Sequence, residues 1–212
     1  MAIFIDSAIY EEVREALSAG WISGVTTNPL LLAVATEPPA KVLERLASLN
    51  PGVVFYQLMS TTQEGMLAEA RQARLLLGEM LVLKLAPIWE SFSFTAHYAS
   101  EFRCCVTAVY SPSQALAARY AGAQYVAVYV NRATQLGIDG VELVREIAGV
   151  LEGSRTEIIA ASLKTPEQAC QAFKAGALHL TMPLAVLRGM TVNPFSDETV
   201  DDFLQRGIGI QA

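Results

Sequence analysis

The amino-acid sequence predicts an α/β protein: a (β/α)8 TIM barrel with an extra C-terminal helix. Short apolar runs alternate with amphipathic segments along the chain, and there are eight such runs. Most of them are continuous in Val, Ile, Leu and Tyr, which is typical of parallel strands covered on both faces. We expect a single domain over residues 1–212, in which residues from about 194 to 212 form the extra helix and a tail.

The predicted strands cover residues 2–6, 22–26, 53–59, 81–85, 104–107, 125–129, 157–161 and 178–181. The predicted helices have apolar residues three or four apart and cover 9–19, 41–49, 62–77, 112–121, 140–151, 165–175 and 196–205, with a short helix after Pro183. An open, doubly wound sheet is the alternative arrangement. No predicted strand precedes a G-x-G-x-x-G or P-loop pattern, so the barrel is favoured.

Composition and charge narrow the functional classes. The net charge is −6 and no basic run is interleaved with aromatic residues, so we expect no nucleic-acid partner. No apolar run reaches roughly 18–20 residues, the length of a membrane span, and the N-terminus has no basic leader. We therefore expect a cytoplasmic protein without membrane contact. The three cysteines form no C-x-x-C motif, so neither a disulfide framework nor a metal site is expected.

The stretch MLVLKLAP, residues 80–87, places Lys84 inside a strongly apolar predicted strand. Side chains alternate between the faces of a strand, so Leu83 and Leu85 face the helices if Lys84 faces the barrel interior. The opposite orientation would press an ammonium group into the apolar helix–strand core, which is costly. Burial disfavours the charged form of an amine, and a neutral amine attacks carbonyl carbon. These residues leave two interpretations open: a nucleophile, or a buried ion pair with Asp6.

Polar residues stand where the other predicted strands end. The catalytic groups of a (β/α)8 barrel lie at the carboxyl ends of its strands. The alternation that turns Lys84 inward brings four further side chains to the same interior: Asp6, Gln57, Thr107 and Tyr129. The remaining candidates end a strand or follow it closely: Thr26, Asn28, Arg132, Ser162 and Lys164.

Seven segments resemble one known family: IFIDSA, GVTTNP, FYQLMSTTQEGM, LVLKLAP, VTAVYSPSQALAARYAGAQYVAVYVNR, AASLKTPEQA and LTMPLAV. In the same order, from residue 2 to about 190, they are similar to the small transaldolase-like class I aldolases. This is the fructose-6-phosphate aldolase and short transaldolase group. TTNP, YVNR and SLKTP at these spacings are specific together, although each motif alone is weak. The resemblance implies a barrel enzyme without metal or organic cofactor, whose partners are small-molecule sugar phosphates.

The resemblance also implies a role for each candidate residue. Lys84 matches the lysine that forms the Schiff base, and Tyr129 matches the tyrosine linked to proton transfer. The residues that match positions handling the dihydroxyacetone unit and a catalytic water are Asp6, Asn28, Gln57 and Thr107. Arg132 and Ser162 match the phosphate-binding positions, with Lys164 as a helper, and Thr26 of TTNP is taken as a further substrate-binding residue. Structural alternatives are a helix-entry charge for Asp6, a turn role for Asn28, a subunit-contact ion pair for Arg132 and a solvated helix-entry charge for Lys164.

Two positions separate the subgroups of the family. The transaldolases tend to have Glu at the position of Gln57 and Phe at the position of Tyr129, whereas the fructose-6-phosphate aldolases have Gln and Tyr. The sequence therefore favours reversible cleavage of fructose 6-phosphate to dihydroxyacetone and glyceraldehyde 3-phosphate. A transaldolase that transfers the dihydroxyacetone unit to erythrose 4-phosphate is the alternative, and a non-catalytic sugar-phosphate-binding barrel is a lesser one.

The chain departs from the family pattern after Lys84. Segment 86–97 is unusual, with Trp89, Phe92 and Phe94 expected to pack a loop or an oligomer contact, and Cys105 stands where the family more often has Leu. If the substrate is unusual, we expect segment 86–97 to be the cause. The resemblance also implies a homo-oligomer, a pentamer or decamer, in which the C-terminal helix reaches a neighbour. His97 and His179 are expected to have no role in the site.

Overall fold

The computed structural model describes residues 1–210 and contains a closed barrel of eight parallel strands in chain order. The strands are β1 Ala2–Asp6, β2 Gly24–Thr26, β3 Val53–Gln57, β4 Leu81–Leu85, β5 Cys104–Val109, β6 Tyr125–Tyr129, β7 Glu157–Ala161 and β8 His179–Met182. Closure comes from β8, which pairs with β1 from Ala2 opposite His179 to Ile5 opposite Met182. The predicted (β/α)8 barrel is confirmed, and the open sheet is wrong.

Helices follow the strands and cover the outside of the barrel. They are α1 Tyr10–Ser18, α2 Pro29–Val34, α3 Pro39–Ser48, α4 Gln63–Leu77, α5 Trp89–Tyr98, α6 Pro112–Tyr120, α7 Val130–Gln135, α8 Gly140–Leu151, α9 Pro166–Lys174, α10 Leu184–Gly189 and α11 Pro194–Arg206. The last of these is the predicted extra helix. Residues 211 and 212 of the predicted tail lie outside the described residues, and the single-domain assignment stays a prediction. No helix within residues 1–210 is both long and apolar enough to cross a membrane.

Three helices were not predicted. Helices α2 and α7 have only six residues each, too few to show a clear 3.6-residue period. The expected loop after β4 is instead α5, whose Ser, Thr and Phe residues hide the helical pattern. Phe94 of α5 is fully buried, with its ring centroid 4.8 Å from Tyr98 and 6.4 Å from Phe102. Tertiary packing therefore outweighs weak local propensity here.

Strand boundaries differ from the predictions at four places. β2 begins at Gly24, two residues later than predicted, and β3 ends at Gln57, two residues earlier. β5 extends to Val109, and β8 is shifted one residue later. At Gly24, a Cβ would lie 2.4 Å from Cγ2 of Val53, so the absence of a side chain permits the close approach of β2 and β3.

The side-chain alternation predicted for β4 is confirmed. Leu81, Leu83 and Leu85 belong to the large core between strands and helices, whereas Val82 belongs to a separate cluster inside the barrel. Lys84 follows Val82 on the inner face. One strand therefore places its bulky aliphatic residues outward and its single charge inward.

The lower end of the barrel interior, where the strands begin, is filled by aromatic rings. The centroid of Phe4 lies 5.1 Å from that of Phe55 and 5.8 Å from that of His179, and Tyr125 meets His179 edge-on at 5.5 Å. His179 Nε2 lies 2.9 Å from a carboxylate oxygen of Glu157. His179 is thus part of the packed floor of the barrel, which closes the interior from below.

Candidate active site

One cavity of about 500 Å³ opens where the strands end. Nine of the ten predicted site residues line it: Asp6, Thr26, Asn28, Gln57, Lys84, Tyr129, Arg132, Ser162 and Lys164. The tenth, Thr107, is fully buried beside the cavity and donates a hydrogen bond from Oγ1 to the phenolic oxygen of Tyr129 at 3.3 Å. The structure therefore brings all ten residues to one place, and their individual roles stay predictions.

Lys84 lies deep in this cavity. It is 5% exposed, and in the strand register it stands between Gln57 on β3 and Cys105 on β5. Its Nζ donates a 2.8 Å hydrogen bond to the backbone carbonyl of Thr27. Within residues 1–210 no carboxylate pairs with Lys84, so the predicted alternative of an ion pair with Asp6 is wrong. The neutral Thr27 carbonyl therefore orients the amine without forming an ion pair with it.

Asp6 takes part in a chain of hydroxyl contacts across the closing strands. Thr26 Oγ1 donates to a carboxylate oxygen of Asp6 at 2.8 Å, and the same hydroxyl lies 2.6 Å from Oγ1 of Thr181. Thr26 and Thr181 are 3% and 4% exposed, so these hydroxyls are almost fully engaged with one another. Thr26 therefore orients Asp6 from a buried position, although it was predicted as a substrate-binding residue.

Cys105 forms part of the cavity wall next to Lys84. Burial raises the pKa of this thiol to about 12, and the nearby Lys84 only partly opposes that shift. The thiol is therefore neutral near pH 7 and serves as an apolar wall rather than a second nucleophile.

Two cations stand at the rim of the cavity, shortly after the ends of β6 and β7. Arg132 and Lys164 are exposed, and neither forms an ion pair with a carboxylate of the described chain. The Arg132 guanidinium also lies over the ring of Tyr129, 5.4 Å from its centroid. Cations without a carboxylate partner are available to an anionic substrate group.

Gln168 of α9 holds the two segments that carry these cations. Its side-chain oxygen accepts a hydrogen bond from the Lys164 backbone N–H at 2.9 Å, and its amide nitrogen donates to Asn131 at 3.3 Å. Ser162, directly after β7 and two residues before Lys164, has a left-handed φ of +59°, which is uncommon outside glycine. The chain therefore turns sharply at the end of β7 and brings Ser162 to the cavity.

Asn28 has two parts in the structure. It lines the cavity, and its side-chain oxygen caps α2 by accepting hydrogen bonds from the N–H groups of Leu30 and Leu31, each at 3.0 Å. The predicted structural alternative, a turn residue before Pro29, is thus part of the arrangement. Capping fixes the side chain at the rim of the cavity.

Glu69 of α4 fixes the loop that follows β3. Its carboxylate accepts hydrogen bonds from the hydroxyl of Tyr56 at 2.7 Å and from the N–H of Ser60 at 2.9 Å, and it also contacts the N–H of Met59. Burial and the adjacent Glu69 raise the pKa of Tyr56, so its phenol keeps its proton. Gln57 lies between these anchored residues and is positioned by them.

Sequence reasoning assigned no site role to Thr181, Thr27 or the apolar wall formed by Leu30, Leu31 and Val34. Thr181 had a usable signal, because it follows His179 by two residues and shares its inward face. The backbone carbonyl of Thr27 had no corresponding signal in the sequence. No residue of segment 86–97 lines the cavity among those described, so the expected origin of an unusual substrate is not supported.

Comparison with known proteins decides the family. The model of the family described as "Transaldolase/Fructose-6-phosphate aldolase" matches residues 3–208. This chain belongs to that family. A protein from Heliobacterium modesticaldum named "Probable transaldolase" is 38% identical over 208 residues, which are 97% of this chain and 96% of that protein. A protein of the same name from Symbiobacterium thermophilum is 37% identical with the same coverage.

Similar solved structures support the fold alone, because their sequence identities are low. A thiamine phosphate pyrophosphorylase from Pyrococcus furiosus gives a TM-score of 0.61 at 17% identity and covers 98% of this chain and 97% of its own. A mandelate oxidase variant gives 0.64 at 16% identity and covers 98% of this chain and 75% of its own. The family assignment makes the chain an enzyme of the aldolase or transaldolase type, for which a lysine Schiff base is the typical mechanism.

Proposed function

We propose that this enzyme is a class I aldolase that reversibly cleaves fructose 6-phosphate to dihydroxyacetone and glyceraldehyde 3-phosphate. The observation that carries the proposal is the position of Lys84: deep in the cavity, free of any carboxylate of the described chain and held by the Thr27 carbonyl at 2.8 Å. Gln57 and Tyr129, the two residues of the aldolase kind, line the same cavity. An amide and a phenol can hold a water for proton transfer, whereas a phenyl ring cannot.

The chemical steps follow from a lysine amine and a ketone. The Lys84 amine adds to C2 of the ketose, and loss of water, assisted by Asp6, gives an iminium ion. The iminium draws the electron pair of the C3–C4 bond, so the bond breaks, the C4 hydroxyl loses its proton and glyceraldehyde 3-phosphate leaves. Through a water held by Gln57, Thr107 and Tyr129, a proton reaches C3 of the remaining enamine. Water then hydrolyses the iminium and releases dihydroxyacetone and the free amine.

The rim cations suit the phosphate of this substrate. Arg132 presents a planar fork to phosphate oxygens, and Ser162 offers a hydroxyl donor on the neighbouring strand end. Lys164 adds a second positive charge at the same rim. The phosphate would then lie at the β6–β7 side of the cavity, while the ketone reaches Lys84 at its floor.

A transaldolase is the second candidate, favoured by the names of the relatives from Heliobacterium and Symbiobacterium. It would form the same enamine, which would then add to the aldehyde of erythrose 4-phosphate instead of taking up a proton. The lesser alternative is a non-catalytic binding barrel, which the unusual sequence of segment 86–97 would favour. That segment lines no part of the cavity in the described chain, and the family assignment favours an enzyme.

Steady-state rates with fructose 6-phosphate, measured with and without erythrose 4-phosphate, test the proposal. An aldolase releases free dihydroxyacetone without an acceptor, and we expect the acceptor to increase turnover by less than about twofold. A rate that depends on erythrose 4-phosphate, with little free dihydroxyacetone, would identify a transaldolase instead.

We propose further that the enzyme is a cytoplasmic homo-oligomer, a pentamer or decamer. Helix α11 has no buried residue, and its apolar side chains are between 51% and 79% exposed: Phe195, Val200, Phe203 and Leu204. Such a surface is typical of a subunit contact. Light scattering should give five or ten chains per particle, and Leu204→Asp should lower that number. A monomeric wild-type protein would rule the assembly out.

A further inference from the structure

β5 is irregular at its catalytic end. Its register with β6 shifts between Val106 and Val109, which is the mark of a bulge. Ala108 within the bulge has a left-handed φ of +54°, a costly conformation for a residue with a Cβ. The bulge changes the direction of the residues on either side of Ala108, and both of these segments reach Tyr129.

Thr107 and Tyr110 contact different parts of Tyr129. Thr107 Oγ1 donates to the Tyr129 hydroxyl at 3.3 Å, while the Tyr110 ring stands edge-on to the Tyr129 ring, with centroids 6.0 Å apart and planes at 74°. Edge-to-face pairs of this kind are attractive and directional. The bulge thus lets β5 and the residue that follows it hold both the hydroxyl and the ring of Tyr129.

Arg132 lies near both tyrosines. Its guanidinium carbon is 5.4 Å from the centroid of the Tyr129 ring. Arg132 thus lies against the same ring that Tyr110 contacts edge-on. Burial raises the pKa of Tyr110, and the Arg132 guanidinium opposes that shift. Tyr110 is itself anchored, because its backbone N–H donates to the side-chain oxygen of Gln114 at 2.9 Å.

We propose that Tyr110 is a positioning residue that holds Tyr129 and Arg132 in one arrangement. It does not line the cavity as those two residues do, so it acts through them. Its ring supports the side chain expected to move the proton, and the side chain expected to bind phosphate lies over that same Tyr129 ring. Binding of the substrate phosphate is thereby linked to the orientation of Tyr129. This inference rests on the proposed function of both residues.

The test compares addition of dihydroxyacetone to glyceraldehyde 3-phosphate with addition to glyceraldehyde, which lacks the phosphate. For Tyr110→Leu we expect kcat to fall about 10-fold with both acceptors, because Tyr129 loses its ring contact. The KM for glyceraldehyde 3-phosphate should rise by about 10-fold more than the KM for glyceraldehyde. Tyr110→Phe keeps the ring contact with Tyr129, so kcat and both KM values should stay within about twofold.

Tyr98→Leu is the matched control, because the Tyr98 ring packs against Phe94 within α5, with centroids 4.8 Å apart, and no residue of α5 lines the cavity. It should lower the melting temperature and leave kcat and both KM values unchanged. If Tyr110→Leu behaves like this control, the inference is overturned. If Tyr110→Leu does not fold, Tyr110→Met, which also removes the ring contact, takes its place: equal KM changes for the two acceptors, or none, would contradict a link to Arg132.

Calorimetric binding of inorganic phosphate separates this inference from the proposed function. Tyr110→Leu should weaken phosphate binding by about threefold or more even if the wild-type enzyme forms no Schiff base. Unchanged phosphate binding overturns the inference. Absence of a borohydride-trapped adduct on wild-type Lys84 would instead overturn the proposed function alone.

Discussion

The two ends of the barrel interior are built from the same strands and carry opposite chemistry. Along five of the eight strands, a step of two residues on the inner face replaces an apolar or aromatic side chain by a polar one. The pairs are Phe4 and Asp6, Phe55 and Gln57, Val82 and Lys84, Ala127 and Tyr129, and His179 and Thr181. The lower end is a packed floor, and the upper end is a cavity of about 500 Å³.

Position along a strand therefore separates the residues that stabilise the fold from the residues that serve activity. Residues of the lower end have neighbours on all sides, so they contribute mainly to the free energy of unfolding. Residues of the upper end line the cavity, so shortening their side chains changes the chemistry more than the packing. Each prediction below changes a residue at one end and measures its effect on stability or on activity.

The largest expected effect on stability is at the lower end. Phe4 is 2% exposed and packs on Phe55 and His179, so Phe4→Ala should lower the free energy of unfolding by about 3–5 kcal/mol. Urea titration measures this, with Tyr120→Ala, at an 81% exposed position, as a control expected to change it by less than about 0.5 kcal/mol. The Phe4→Ala protein that remains folded should still form the Lys84 adduct. Loss of the adduct would show that the two ends are not independent.

The next effect is on activity at the upper end. Tyr129→Phe removes the hydroxyl that Thr107 contacts at 3.3 Å, and we expect kcat for fructose 6-phosphate cleavage to fall by about 10²–10³-fold. Tyr125→Phe is the matched control on the same strand and the same face, since the Tyr125 hydroxyl contacts Gln124 at the lower end. Its kcat should stay within about twofold. Similar losses in both variants would contradict the assignment of proton transfer to Tyr129.

A smaller effect concerns pH. Burial lowers the pKa of His179 despite its contact with Glu157, so the unfolded chain takes up a proton at a higher pH than the folded chain does. Stability contributed by neutral His179 is therefore present above about pH 6.5 and is lost as the pH falls through the lower folded pKa. Gln at position 179 can still donate to Glu157 but does not titrate. The free energy of unfolding of the His179→Gln protein should therefore change less between pH 7 and 5. An unchanged slope would mean that other groups cause the acid sensitivity.

The smallest effect is at Ala108, where the upper end carries backbone strain. Glycine adopts a φ of +54° freely, so Ala108→Gly should change the free energy of unfolding by less than about 0.5 kcal/mol. Ala117→Gly, at an exposed position inside helix α6, should cost about 1 kcal/mol. Thermal unfolding of both variants tests this pair. Equal costs would show that Ala108 is not strained.

Much of this architecture could be predicted from the sequence because it depends on side-chain alternation and on strand ends. A lysine within a run of Leu and Val indicates which face of β4 points inward. The same two-residue alternation correctly predicted that Asp6, Gln57 and Tyr129 lie in the cavity. The bulge at Ala108 could not be predicted, because no Gly or Pro marks it. Nor could the contact from Lys84 to the Thr27 carbonyl, since backbone acceptors leave no trace in residue type.

The central claim is that Lys84 is the nucleophile, and borohydride reduction in the presence of dihydroxyacetone tests it most directly. Peptide mass spectrometry should find one reduced three-carbon adduct on the peptide that contains Lys84, and none in Lys84→Met protein of unchanged fold. The other lysines, Lys41, Lys164 and Lys174, should remain unmodified. No adduct on the wild-type enzyme, or an adduct on another lysine, would contradict the account.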